Sequence, residues 1–368
     1  MAGLGRIAFF SGDITRSGGT ENVSIMLANA LAAEGWVNDG NAVSFVSLFE
    51  EHDRPFFDID PRIARYTVYP TVTHGIQHYF DTVKRLRRLV KQHHIDVLVD
   101  IDGILDMYSL PIKRSAGVKV ISWEHFNYHQ NPGVPYRKLT RRWAARKADA
   151  IVTLTEADRK LYLDNAHPKC PVIAIPNPMQ TVTPQPVYAA DSRIIISSGR
   201  LTYQKGFDML VDVAARVLPG HPDWQWFILG EGEDRPMLEE KIVAAGIGNQ
   251  LILKGRVENM PDYYRKAAMF VLTSRFEGLP MVLLEAKAYK LPIVSFDCET
   301  GPADIVTDGV NGDLVETGDI SGMAERINLL IDDDEHRGRY AAHADEGMDC
   351  FDRDLIIGQW DRLLKGDE

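Results

Sequence analysis

The stretch TSRFEGLPMVLLEA (273–286) places two glutamates, Glu277 and Glu285, eight residues apart across a Gly-Leu-Pro turn. Pro280 suits the first turn of a helix, where its missing N–H costs nothing. The backbone around Gly278, Leu279, Pro280 and Met281 would then open a helix whose free amides point at an anion. Glu277 lies just before that helix end and Glu285 about a turn and a half inside it. Carboxylates accept well from vicinal hydroxyls. The spacing therefore suits a diphosphate at the helix end with a hydroxylated ring on each side, as in a nucleotide-sugar.

A second constellation, SSGRLTYQKGFDMLV (197–211), runs from an apolar strand through Gly199 to Arg200 and Lys205 and into a helical pattern. Two cations flanking such a turn could grip a diphosphate, Arg by its fork and Lys as a point charge; solvated surface charge is the plainer alternative. SGDITRSGGTEN (11–22) has the same design, with Gly18 and Gly19 allowing close approach of a ligand at a helix start, or forming an ordinary strand-to-helix turn. It is no G-x-G-x-x-G fingerprint, which disfavours a dinucleotide oxidoreductase. In WEHFNYHQ (123–130), Glu124 and His125 would sit at the carboxyl end of a strand, facing a cleft; a satisfied structural histidine is the alternative. His129, His93 and His94 read as structural or surface residues. The D-x-D strings at Asp58–Asp60 and Asp100–Asp102 lack further ligands, and a non-metal reading is preferred.

These residues need strands to end beside them, and the chain supplies strands. RIAFF (6–10), DVLVDI (96–101), VKVISW (118–123), DAIVTLT (149–155) and VIAIPN (172–177) alternate with helical patterns such as ENVSIMLANALAAEG. A Pro-rich stretch, 178–192, reads as a linker. The alternation then restarts with RIIISSG (193–199), WQWFILG (224–230), LILKG (251–255), MFVLTS (269–274), LPIVSFD (291–297) and GDLV (312–315). Such alternation predicts parallel sheets covered by helices. The fold class is α/β: two doubly wound, Rossmann-like domains facing across a cleft, with ligands expected at the carboxyl ends of the strands. The segment 351–364 has helical periodicity and could pack on either domain.

The chain has 368 residues, which suggests two domains. Hydrophobic residues make up 45% and charged residues 25%, a soluble globular balance. Cys170, Cys298 and Cys350 are too scattered for a metal site or a disulfide framework and suit a reducing cytosol. No run reaches the ~20 apolar residues of a membrane span, and the N-terminal apolar stretch is short for a signal peptide. An intracellular protein is expected. Residues 1–185 carry 22 Lys+Arg against 19 Asp+Glu, while the remainder carries 19 against 33. The basic excess concentrates in VKRLRRLVKQHH (83–94) and YRKLTRRWAARKA (136–148), which contain no acid.

Taken in order, SGGTEN, WEHFN, SSGRLTYQKGFDMLV, ILGEGED and SRFEGLPMVLLEA resemble the retaining GT-B glycosyltransferases of glycosyltransferase family 4, over nearly the whole chain. FEGLPMVLLEA followed by TGPADIVTDGVNG looks most like bacterial enzymes that add galactose- or N-acetylhexosamine-type sugars to lipid-linked oligosaccharides or surface polysaccharides. The resemblance implies an acceptor-binding domain over 1–180, a donor domain over 181–350 and a helix over 351–368 that crosses back to the first domain. It implies a UDP-sugar donor, no cofactor and no required metal, because Arg200 and Lys205 would hold the diphosphate and neutralise the leaving group. Glu285 would bind the donor ribose. Glu277 would contact the transferred sugar and support an oxocarbenium-like transition state, and His125 would meet that sugar from the other domain. Gly18 and Gly19 would pack by the phosphates and acceptor, with Glu21 and Glu124 on the acceptor side; Gly230, Arg256 and Val257 would lie near the base.

The expected acceptor is a saccharide or an undecaprenyl-diphosphate-linked glycan, with no nucleic-acid partner. The basic helices would then face anionic headgroups on the inner side of the cell membrane, or be ordinary solvated faces. A nucleotide-sugar epimerase of similar architecture and a non-catalytic nucleotide-sugar-binding protein are the competing readings.

Overall fold

A computed structural model describes residues 5–36, 43–73, 75–131, 134–179 and 187–366. It divides into two compact units, one of residues 1–178 with 353–368 and one of residues 179–352. Of the stretch expected to be a linker, 178–192, residues 180–186 lie outside the described residues.

The first unit holds a seven-stranded sheet of β1 (Ile7–Ser11), β2 (Val43–Ser47), β3 (Ala64–Thr67), β4 (Val97–Asp100), β5 (Lys119–Trp123), β6 (Ala150–Thr153) and β7 (Val172–Ala174), in the spatial order 3-2-1-4-5-6-7. Every pairing is parallel. The interior strands are buried on both faces, which is why they read as unbroken Val/Ile/Phe runs. β2 and β3 were not among the expected strands. β3 is an edge strand with half-buried and exposed residues alternating, and ARYT carries little apolar signal. Phe9 packs on Phe45 and Trp123 at the sheet's centre.

The helix Arg353–Lys365 belongs to this unit although it follows the second one in the chain. Trp360 stands edge-on to Trp123 at 4.7 Å, and Trp36 Nε1 donates to Asp361 at 2.8 Å.

The second unit repeats the plan with six strands: β8 (Ile194–Ser198), β9 (Gln225–Leu229), β10 (Leu251–Gly255), β11 (Met269–Leu272), β12 (Ile293–Asp297) and β13 (Gly312–Glu316), in the order 10-9-8-11-12-13. Two of its buried polar groups bond within the sheet: Trp226 Nε1 donates to Ser197 Oγ, whose hydroxyl donates to the Val271 carbonyl at 2.6 Å. In each unit the strand order reverses once, between β1 and β4 and between β8 and β11. At such a reversal the loops leaving the carboxyl ends diverge to opposite faces and open a crevice.

Candidate active site

The loops after β8 and β11 flank the reversal point of the second unit, so residues some 70 positions apart become neighbours. The loop 203–208 is fastened to the loop 273–277 by several bonds. The Arg275 amide donates to the Gln204 carbonyl at 2.8 Å, Gln204 Nε2 donates to the Phe276 carbonyl, and Arg275 grips Asp208 through both guanidinium nitrogens at 2.8 and 2.6 Å. The Arg275 guanidinium also lies 4.2 Å from the Tyr203 ring centroid. Gly206 is left-handed, with φ of 64°, and a Cβ there would strike the Thr273 carbonyl. Only glycine permits this approach.

The fastening delivers Lys205 to Glu277. Lys205 Nζ lies 2.6 Å from Glu277 Oε1, and Ser274 Oγ donates to the same oxygen at 2.6 Å. Thr300 Oγ1 fixes the Glu277 backbone carbonyl, also at 2.6 Å. Glu277 is buried, and the Lys205 side chain keeps 17% exposure. The expected diphosphate cation is therefore held by the expected sugar-binding carboxylate. Arg200 is exposed; its carbonyl accepts from Thr202 Oγ1, while its side chain makes no ion pair or hydrogen bond with the described residues.

Glu285 lies in the helix Met281–Ala288, which starts one residue later than the sequence suggests, with Pro280 as its N-cap. Tyr264, fully buried, donates its hydroxyl to Glu285 Oε2 at 2.6 Å. Burial raises the Glu285 carboxyl, while the Tyr264 hydrogen bond and Lys205 act against that rise. Tyr264 stacks on Tyr289 at 5.2 Å, which fixes its ring. Nothing in the local pattern MPDYYRK singles out Tyr264; only its place under the 281–288 helix does. Leu279 and Pro280 are buried, while Gly278 and Met281 are half-buried at the helix entrance.

The neighbouring strands end in a row of glycines. The Gly199 amide donates to the Leu229 carbonyl and the Gly230 amide to the Gly255 carbonyl. A Cβ at Gly230, where φ is 147°, would overlap the Gly199 carbonyl. The result is a shelf of bare backbone at the carboxyl ends of β8, β9 and β10. Arg256 is exposed and Val257 half-buried just past its far end.

In the first unit the expected residues divide. Gly18 is the N-cap of the helix Gly19–Leu31, and Glu21 of its first turn leans over Gly18, where an added Cβ would meet the Glu21 carboxylate. The helix end thus already has an anion of its own, contrary to the expectation of an open anion site there. Glu124 is a second correction. Its side chain is fully buried and faces Arg141, with oxygens 3.3 and 3.2 Å from Nε and Nη2. Burial pushes the Glu124 carboxyl upward, but Arg141 and Arg137 outweigh it and the net shift is downward. It braces the strand end from within the first unit, paired with Arg141.

His125 does have a different environment. Its ring lies 4.5 Å from Trp123, and its Nε2 is buried without a hydrogen-bond partner. Burial lowers its pKa to about 4, against the pull of Glu124. The imidazole is neutral at pH 7. Of the D-x-D pair, Asp100 bonds with Ser109 and Asp102 forms an ion pair with Arg137. Of the basic stretch 136–148, Arg137 and Arg141 turn inward to Asp102 and Glu124, so only part of that expected basic face is solvent-exposed.

The chain matches two family models, Glycosyltransferase Family 4 over residues 17–182 and Glycosyl transferases group 1 over residues 181–346. A Haemophilus influenzae protein named as an uncharacterized glycosyltransferase is 32% identical over 359 residues, covering 98% of this chain and 99% of that protein. The amylovoran biosynthesis glycosyltransferase AmsD of Erwinia amylovora is 28% identical, covering 95% and 97%. Among solved structures, a mutant of TarM from S. aureus, in complex with fondaparinux, alpha-GlcNAc-glycerol and UDP, superposes with a TM-score of 0.82 at 15% identity, covering 98% and 99%.

Proposed function

Because the chain belongs to the glycosyltransferases and has their GT-B fold, we propose that it transfers a hexose or N-acetylhexosamine from a UDP-sugar to a glycan or lipid-linked saccharide, with retention of configuration and without a required metal. The observation that carries this reading is the convergence of Lys205, Glu277 and Tyr264-bound Glu285 at the strand reversal of the second unit, beside the glycine shelf.

The shelf would take the nucleotide, since bare backbone allows a base and diphosphate to approach closely. Glu285, kept in place by Tyr264, would accept from the ribose hydroxyls. Arg200 and Lys205 would face the diphosphate and stabilise charge growing on the leaving oxygen as the anomeric C–O bond breaks. Glu277 would accept from the transferred sugar's hydroxyls and favour the oxocarbenium-like centre. Front-face attack by the acceptor oxygen, with its proton passing to the leaving phosphate, balances the reaction without a protein nucleophile. His125, neutral and buried at Nε2, would act as a hydrogen-bonding contact to the sugar and not as a titrating acid. The acceptor class is supported by AmsD, whose name places it in amylovoran biosynthesis.

A cytoplasmic location beside the membrane follows from the same reading. It is supported by the helix Tyr79–Gln92, which exposes Lys84, Arg85, Arg87, Arg88 and Lys91, with Phe80 86% exposed at its start. Among the described residues no helix is long and apolar enough to cross a membrane.

The test is a panel of UDP- and GDP-linked Glc, Gal, GlcNAc and GalNAc in EDTA, with free nucleotide and sugar products quantified. Slow UDP release from one donor, lost in Glu277→Gln and Arg200→Ala, is expected. Conversion of the donor to an isomeric nucleotide-sugar would mean an epimerase, and neither turnover nor binding would end the donor-site assignment.

A further inference from the structure

The first unit carries a recess of about 140 Å³ lined by Tyr128, His129, Asn131, Lys138, Arg142 and Asn165. It lies between the helices Arg137–Lys147 and Glu156–Ala166, and the reading above gives it no role. Two pairs of cations stand one turn apart on the first of these helices, and they are treated differently. The inward pair is matched charge for charge, Arg137 to Asp102 and Arg141 to Glu124. The outward pair, Lys138 and Arg142, is exposed, makes no ion pair or hydrogen bond with the described residues, and no carboxylate lines the recess. Like charges four residues apart on a helix repel. An anion between them would relieve that repulsion and gain charge-assisted hydrogen bonds.

The walls are held from beneath. Arg141, fully buried, donates through Nη1 to the carbonyls of Tyr128 and Gln130, both at 2.7 Å. Tyr128 packs edge-on against the buried Tyr162 at 4.8 Å, and its amide donates to Asp158 at 2.7 Å. The recess therefore keeps its shape without a ligand, which lowers the ordering cost of binding. Around the two cations stand the side-chain amides of Asn131, which donates to the His129 carbonyl, and Asn165, which donates to the Leu161 carbonyl; each keeps a second N–H and acceptor capacity on its oxygen. Cations for an oxyanion, amides for hydroxyls and a space near that of one pyranose ring define a ligand class.

We propose that this recess is a subsite for an anionic monosaccharide unit, one bearing a carboxylate or a phosphate monoester. Its identification as part of the acceptor glycan rests on the glycosyltransferase reading; the binding itself does not.

The test is titration of the full-length protein with glucuronate, glucose 6-phosphate, glucose and inorganic phosphate at constant ionic strength, followed by saturation-transfer NMR. It would be run on the wild type, on Lys138→Ala/Arg142→Ala, and on Lys84→Ala/Arg87→Ala as a control with equal charge loss on another helix. The two sugar anions are expected to bind more tightly than inorganic phosphate, with glucose negligible, and to weaken about tenfold or more only in the first double variant. Equal weakening in the control, equal binding by inorganic phosphate, or affinity unchanged in Lys138→Ala/Arg142→Ala would each overturn the proposal. UDP affinity, measured on the same samples, should be the same in all three proteins. Failure of UDP to bind the wild type would count against the donor site and leave this subsite standing on its own result.

Discussion

The Lys205–Glu277 pair makes the donor reading testable through an effect of opposite sign to the usual one. Replacing an active-site acid normally weakens ligand binding or leaves it unchanged. Here Glu277→Gln should tighten UDP binding while abolishing transfer, because Lys205 is otherwise held by the carboxylate at 2.6 Å. At an effective dielectric of about 20 that separation corresponds to roughly 6 kcal/mol of gross Coulomb attraction. Desolvation takes back most of it. The pair is neither exposed, where such contacts are worth ~0–1 kcal/mol, nor sealed, where removing one partner costs ~3–5 kcal/mol. A net of about 2 kcal/mol is the reasonable middle. If a diphosphate recovers half or more of that from a released Lys205, UDP should bind roughly 5–30-fold more tightly.

Isothermal titration with UDP in EDTA measures this directly, and turnover of the matched UDP-sugar should fall about 100-fold or more. Lys205→Ala should weaken UDP binding, and adding Lys205→Ala to Glu277→Gln should erase the gain, which closes a double-mutant cycle. Unchanged or weaker UDP affinity in Glu277→Gln, with Lys205→Ala also silent, would show that Lys205 does not face the diphosphate.

Other expectations can be checked with simpler variants. Tyr264→Phe should weaken UDP binding about tenfold through loss of the 2.6 Å hydrogen bond that positions Glu285, measurable in the same titration; equal affinity would detach Glu285 from the nucleotide. His125 is held at about 4 in the folded chain, below the ordinary histidine value, so the unfolded chain binds the extra proton between about pH 4 and 6.5. Stability should therefore rise with pH through that window and do so less steeply in His125→Gln, as seen by denaturant melts at pH 4.5 and 7. Lys287, buried and donating to the carbonyls of Ile305 and Glu346, is lowered to about 8. The unfolded chain then holds more protons between pH 8 and 10.5, and stability should gain up to about 3 kcal/mol across that range in the wild type but not in Lys287→Met. Gly230→Ala should destabilise the second unit by several kcal/mol, about 3 or more, because the Gly199 carbonyl occupies the space of the new methyl.

Much of the second unit could be read from its strands, because the interior strands β8, β9, β11 and β12 are largely buried on both faces and announce themselves as apolar runs. The meeting of R-x4-K-G with F-E-G-L-P also follows from order alone, once β8 and β11 become neighbours. The pairings inside the site were less legible. Spacing suggests that Lys205 and Glu277 share one site, but not that they neutralise one another there. Tyr264 carries no pattern, since its role depends on a side chain reaching up to a later helix. Glu124 looked available because it follows a strand, whereas Arg141, seventeen residues on, turns inward to cover it. The same inward turn explains why an acid-free basic stretch is only partly a basic surface. β2 was missed although VSFVS is apolar; β3, a polar edge strand, had little to offer.

The helix Arg353–Lys365 gives the molecule an unusual order of assembly. Trp36 and Trp123 in the first unit wait for Asp361 and Trp360, which are synthesised only after all of residues 179–352. At ~5–20 residues per second, that interval is roughly 10–35 s on the ribosome. Through that time the first unit, begun earlier, still lacks its closing helix and exposes aromatic surface beside His125. A chain ending near residue 352 would therefore present a second unit joined to an unfinished first unit, a form that chaperones and proteases could distinguish from the complete enzyme.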